Sequence, residues 1–96
     1  MSLALHFAHM LIQNKLHALE LTHLWVRTHG RNLIIYSIEH QEEVNRAILT
    51  LFPGNAYLLC IANHRGNWQP TPFVGTLPQQ MSILTGKLAF ALSRWH

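Results

Sequence analysis

Residues 3–20 carry apolar side chains at helical spacing, and this stretch constrains the fold more than any other. Apolar residues share one face of the predicted helix, and a narrow polar stripe lies opposite. The apolar face comprises Leu5, Ala8, Ile12, Leu16 and Leu19, and the polar stripe comprises His6, His9, Gln13, His17 and Glu20. The sequence therefore begins with an amphipathic helix that needs a core to pack against.

The apolar side of this helix is broader than contact with one small sheet requires. Phe7, Met10 and Leu11 widen it beyond the residues that face the core. A helix that is hydrophobic over most of its circumference is usually buried on more than one side. We therefore predict a homodimer with an interface at Phe7, Met10 and Leu11.

Two segments rich in β-branched, aromatic and aliphatic residues follow, at residues 22–28 and 33–38. Gly30 lies between them and can adopt the positive φ of a tight turn, so a β-hairpin is predicted. A second helix is expected next, because acidic residues favour a helix N-terminus and precede apolar residues at helical spacing. The acidic residues are Glu39, Glu42 and Glu43, and the apolar ones are Val44, Ala47, Ile48 and Leu51.

The second half of the chain shows a similar order. Residues 57–62 are almost continuously apolar, as in a central strand, and residues 63–67 form a turn. Residues 68–73 predict an edge strand because their prolines cannot donate hydrogen bonds to a neighbour. A last helix begins after Thr76, which stands at capping-box spacing from Gln79. Its apolar stripe comprises Leu77, Met81, Leu84, Leu88, Leu92 and Trp95.

These patterns predict one α+β domain over residues 1–96. The expected order is α-ββ-α-ββ-α, with an antiparallel four-stranded sheet and helices mainly on one face. Two hairpin-plus-helix units, at residues 22–52 and 56–95, suggest a weak internal repeat that aligns residues 24–33 with 59–68. The 96 residues, 49% of them hydrophobic, suffice for a core without cross-links.

The composition argues against an enzyme. The chain contains no Asp, so the usual Ser-His-Asp triad cannot form, and the glycines do not fall at phosphate-loop or dinucleotide-binding spacings. Cys60 lies in the most apolar segment and is interpreted as a core residue rather than a nucleophile. A catalytic residue or a cofactor is therefore not predicted.

Location is predicted from the cysteine count and from the first residues. A single cysteine favours a reducing cytoplasm over a disulfide-linked secreted scaffold. The first apolar stretch lacks the features of a signal peptide and is too short to span a membrane. We expect no membrane association.

Two alternative functions use polar residues. Basic and aromatic residues near the predicted turns could bind nucleic acid, with the arginines on phosphates and a tryptophan stacked on a base: Arg27, His29, Arg31, His64, Arg65 and Trp68. The net charge of +3 supports this reading only weakly, because Lys and Arg are scattered. A metal ion could bind His6 and His9, at i and i+3, with His17 further along the helix.

The most distinctive segment is H-R-G-N-W-Q-P-T-P-F-V-G-T-L, at residues 64–77. It resembles a pattern, roughly H-x-G-x-W-E-P-T-P-F-x-G-T-L before a helix, of small uncharacterised bacterial proteins, cyanobacterial ones particularly. Gln69 stands where that pattern more often has an acid. The resemblance implies a shared fold and origin, and it implies no activity.

The same segment could also dock a partner. Pro70 and Pro72 stiffen it, and Trp68 and Phe73 offer aromatic anchors at the sheet edge. The structural alternative is that the aromatic residues pack under the last helix while the prolines protect the edge from aggregation. The sequence as a whole predicts a non-catalytic interaction or regulatory module that is a small homodimeric cytoplasmic protein.

Overall fold

A computed structural model describes residues 3–63, 65 and 67–92. A long helix comes first, five strands follow in succession, and a short helix and a 3₁₀ turn come last. The elements are α1 (Leu3–Ala18), β1 (Leu24–His29), β2 (Asn32–Glu39), β3 (Glu42–Phe52), β4 (Ala56–Ala62), β5 (Trp68–Gly75), α2 (Leu77–Thr85) and the 3₁₀ helix η1 (Ala89–Ala91).

The five strands form one antiparallel sheet in the order β1-β2-β3-β4-β5, so each strand pairs with its neighbour in the chain. One face of the sheet packs against α1, α2 and η1, and the core lies between them. The α+β class, the antiparallel sheet and the helices on one face were predicted correctly. The number of strands was wrong, because the sheet has five and not four.

The strand that was not predicted is β3, which occupies the place of the predicted second helix. Ala47, Leu49 and Leu51 point towards the core, and Ile48 and Thr50 point to the opposite face. Both faces of β3 carry apolar residues, and the extra residue Arg46 forms a bulge between the pairs on either side. The apolar residues consequently fall at spacings that imitate a helix.

The β2–β3 connection explains why the hairpin was missed. His40 and Gln41 form a two-residue turn and both have positive φ, 52° and 68°, as in a type I′ turn. Asn and Gly are the usual residues there, whereas His and Gln give no turn signal. Glu39, Glu42 and Glu43 accordingly lie in strands rather than at a helix N-terminus.

The first hairpin-plus-helix unit, at residues 22–52, and the internal repeat are wrong because β3 replaces the helix, whereas the second unit, at residues 56–95, does contain a β4–β5 hairpin followed by α2. β2 is followed by β3, whereas β5 is followed by a helix, so the two halves of the chain differ in architecture. The predicted β4 is confirmed as an inner strand, and β5, with its two prolines, is confirmed as an edge strand.

The helices agree with the predicted patterns except at their ends. Leu5, Ala8, Ile12 and Leu16 are buried, as expected. The helix ends at Ala18, because Glu20 adopts a φ of 62° and the amides of Glu20 and Leu21 donate to the carbonyls of His17 and Leu16. This is a Schellman termination. Leu19 consequently lies in the turn and is exposed rather than packed in the core.

The predicted capping box at Thr76 and Gln79 is present at the start of α2. This helix ends at Thr85, well before the predicted end, and the chain then forms η1. Leu77, Met81, Leu84 and Leu92 are nevertheless buried, and Leu88 packs beside them. Trp95, the last member of the predicted stripe, lies outside the described residues. Within the described part of the chain, no helix has the length and apolar character to cross a membrane.

Candidate interaction surfaces

The sheet face opposite the helices is predominantly apolar, and we call it the open sheet face. The strand register places its residues on the side away from the core. No element formed by residues 3–63, 65 or 67–92 packs over it. Its apolar members are Trp25, Ile34, Tyr36, Ile38, Ile48, Phe52, Ala56, Leu58, Cys60, Ala62, Trp68, Pro70 and Val74.

Exposure varies across the open sheet face. Ile34 and Ala62, on inner strands, are buried by their neighbours, whereas Ile38 and Val74 are 56% and 61% exposed. Trp25 and Trp68 are also exposed and lie on the two edge strands. Apolar residues thus extend from one edge of the sheet to the other.

The two charged residues at strand positions on this face neutralise each other. Arg27 Nη1 lies 2.9 Å from Glu43 Oε2, and the guanidinium lies over the Tyr36 ring, 5.3 Å from its centroid. A cation above an aromatic ring is attracted to its π-electrons. Because these opposite charges cancel, the open sheet face carries no net charge at Arg27 and Glu43.

Asn45 Oδ1 is buried and has no hydrogen-bond partner among the described atoms.

The apolar stripe of α1 is the second exposed surface. Phe7 is 60% exposed, and Leu3, Met10 and Leu11 are also exposed. Phe7 and Leu11 line a groove of about 370 Å³ that continues to Leu77 at the start of α2. The residues predicted for the dimer interface are thus on the surface and adjacent to one another.

The histidines of α1 make contacts of their own. The His6 ring lies 6.0 Å from the Phe7 ring, and His17 Nε2 lies 3.0 Å from Gln13 Nε2. Because the Gln13 amide nitrogen is a donor, His17 Nε2 accepts this bond. Among the residues that the structure describes, no three His, Cys, Asp or Glu side chains are placed to share a metal ion.

The residues predicted to bind nucleic acid are dispersed. Arg31 lies in the β1–β2 turn and Arg65 in the β4–β5 turn, and the meander places these turns at opposite ends of the sheet. Arg27 is paired with Glu43, and His29 ends β1. Trp68 lies on β5, whereas His64 falls outside the described residues. The structure does not assemble the five described members of this set into one basic patch.

The predicted partner edge on β5 divides between the two faces. Trp68 and Pro70 pair with Ala62 and Cys60 on the open sheet face, and Pro72 is exposed. The Phe73 carbonyl accepts a 2.8 Å hydrogen bond from Gln80 Nε2. Gln80 is buried and also donates to the Tyr57 carbonyl, so α2 is anchored to this part of the edge.

Cys60 lies on the open sheet face and is half-buried, so it is not part of the core cluster that the sequence suggested. Burial raises the pKa of its thiol, although a hydrogen bond from the Thr71 backbone opposes the shift. A raised pKa favours the thiol over the nucleophilic thiolate.

A buried polar cluster, which the sequence analysis missed, lies on the helix-covered side around Arg46. This side chain is 0% exposed and donates to Ser37 Oγ (3.0 Å), Glu39 Oε1 (2.8 Å) and the Ala91 carbonyl (3.4 Å). His23 Nε2 donates to the next carbonyl, that of Leu92, at 2.9 Å. The cluster therefore fastens η1 to the sheet.

Arg46 and Glu39 also perturb each other's titration. Burial lowers the pKa of Arg46, and the bond to Glu39 opposes that shift. Desolvation raises the pKa of Glu39, but the hydrogen bonds from Ser37 and Arg46 and the positive charges of Arg46 and His23 outweigh it, so the pKa lies below its ordinary value. The only sequence signal for this cluster was an arginine inside an apolar segment.

These surfaces are interpreted from their own chemistry, because comparisons with protein-family models, curated proteins and solved structures find no match to this chain.

Proposed function

We propose that this chain is a non-catalytic interaction or regulatory module that works as a homodimer. The observation that supports the proposal most directly is the exposure of apolar side chains on two sides of a small domain, α1 and the open sheet face. Contiguous apolar patches on a small soluble domain usually mark an interface. A second copy that covered one of them would remove this area from water.

The polar groups are consistent with a structural role. Glu39 and Ser37 are engaged with Arg46, and Glu43 is engaged with Arg27. Burial of Cys60 disfavours its thiolate. These contacts give Ser37, Glu39 and Glu43 structural roles, which is compatible with an interaction protein.

The proposal includes a cytoplasmic location and the bacterial origin that the motif resemblance implies. The single cysteine is compatible with a reducing compartment. The nucleic-acid alternative is less well supported, since the meander separates Arg31 from Arg65. The metal alternative is also less well supported, since no three His, Cys, Asp or Glu side chains among the described residues are placed to share an ion.

Native mass spectrometry and sedimentation of the full chain test the proposal. We expect a mass twice the 11.1 kDa of the chain, with no metal or nucleotide retained, and reversible dissociation on dilution. Phe7→Lys, with Asn14→Lys on the same helix as its matched control, tests the α1 interface predicted from the sequence. A wild-type protein that stays monomeric at every concentration would refute the homodimer.

A further inference from the structure

We propose that a second copy of this chain packs on the open sheet face, so that two five-stranded sheets meet face to face across a two-fold axis. This inference rests on the proposed homodimer and names the surface that forms it. The α1 stripe is the competing surface. Charge, area and shape each favour the sheet.

Charge complementarity is the first argument. In a two-fold interface each patch meets itself, so a patch with net charge opposes like charges. Arg27 and Glu43 cancel on the open sheet face. α1 contains Lys15 and no acidic residue. A parallel pair of α1 helices would oppose Lys15 to its equivalent, and an antiparallel pair would oppose it to the positive end of the partner's helix dipole.

Area is the second argument. Five strands spaced about 4.8 Å apart, each contributing roughly eight residues at about 3.3 Å per residue, cover roughly 630 Å² in flat projection. Projecting side chains such as Trp25, Ile38 and Val74 raise the accessible area above this value. A standard interface buries about 800 Å² on each partner, which is the same order. One exposed stripe on a 16-residue helix is narrower.

Shape is the third argument. Sheets pack face to face when their twists match, and two copies of one sheet have the same twist by construction. Ile48 and Cys60 pair across neighbouring inner strands and would lie near the centre of the contact. The more exposed Ile38 and Val74 would lie nearer its rim. The partner sheet would then take the place on this face that α1 and α2 take on the other.

Ile38→Lys tests the inference. Glu43 lies directly opposite Ile38 on β3, so the monomer can accommodate a lysine there. In a face-to-face dimer this charge and its symmetry-related copy would each be partly desolvated at the rim of the contact. We expect the dimer dissociation constant to rise by more than about 100-fold. Val74→Lys, on β5, provides a second variant at a distant point of the same face.

Leu19→Lys is the matched control, because Leu19 is an exposed leucine in the turn after α1 and lies off both surfaces. Phe7→Lys tests the competing α1 contact. Circular dichroism and thermal unfolding verify that every variant is folded. Sedimentation then reports the dissociation constant of each.

Cys60 gives an independent readout, because it is the one cysteine in the chain and lies on the open sheet face. Labelling by a maleimide should slow as the wild-type protein is concentrated and the dimer forms. In Ile38→Lys the labelling rate should not depend on concentration. A contact through α1 would leave Cys60 equally accessible in monomer and dimer.

Each outcome decides between the two proposals. Dissociation of the folded Ile38→Lys and Val74→Lys variants, together with protection of Cys60 in the wild type, supports the inference. A dimer that both variants leave intact and that Phe7→Lys dissociates overturns the inference and keeps the homodimer. A monomeric wild type overturns both.

Discussion

Replacing the buried arginine of β3 should destabilise the fold substantially. Arg46→Met fills the site with an unbranched apolar side chain but removes the donors to Ser37, Glu39 and the Ala91 carbonyl. Removing one partner of a buried ion pair typically costs about 3–5 kcal/mol. Glu39 is 30% exposed and can regain water, and the desolvation cost of the guanidinium disappears. We therefore expect a loss of about 2–3 kcal/mol.

Thermal unfolding followed by circular dichroism at neutral pH measures this loss. About 1 kcal/mol shifts the Tm of a domain of this size by roughly 4–8 °C, so we expect a decrease of about 10–20 °C. Arg27→Met, compared at a protein concentration low enough to keep every variant monomeric, is the matched control, because Arg27 also pairs with a glutamate, at 2.9 Å, but is 43% exposed. Its loss should stay below about 1 kcal/mol. Equal Tm values for the two variants would refute the assigned role of Arg46.

Two further predictions concern the β2–β3 hairpin. Gln41→Gly should stabilise the protein by about 1 kcal/mol, because glycine adopts the φ of 68° without steric cost; a Tm that does not rise would contradict the turn geometry. The lowered pKa of Glu39 means that its contribution to stability is complete above the ordinary glutamate pKa of roughly 4.3 and is lost as the pH falls through the lower pKa of the folded state. The decrease in Tm on acidification should therefore be steeper in the wild type than in Glu39→Gln, and parallel curves would exclude this coupling.

Capping residues, prolines and helical spacing, which each favour one local structure, could be interpreted correctly from the sequence. Thr76 and Gln79 specify a helix start because their side chains satisfy amides that the helix leaves free. Pro70 and Pro72 specify an edge because they cannot donate to a further strand. The core face of α1 was readable because its buried residues recur at helical spacing against polar neighbours.

The β3 strand could not be predicted because its apolar residues serve two faces. Ile48 lies on the open sheet face and Leu49 in the core, so the alternation typical of a half-buried strand is absent. The bulge at Arg46 also shifts the alternation of inward-facing and outward-facing residues by one position. Periodicity analysis assumes one buried face, and this assumption fails where the second face is also apolar.

The open sheet face was not predicted from the sequence either. Its central residues come from three different strands, and Ile48 had been assigned to a helix. Trp68 was considered as an aromatic residue near a turn and as an anchor at the sheet edge, and the register places it on this face together with Trp25. A surface formed by residues that are distant in the sequence becomes visible only when the register of every strand is known.

The meander also has a consequence for the order in which the molecule folds. Strands that pair with their neighbours in the chain close short loops, so the sheet can grow hairpin by hairpin with little loss of chain entropy. The contacts of η1 are different: Arg46 reaches the Ala91 carbonyl 45 positions away, and His23 reaches that of Leu92 after 69. A nascent chain can therefore pair its strands early. Until η1 has been synthesised and has docked, however, Arg46 lacks its carbonyl partner and part of the core remains exposed to water.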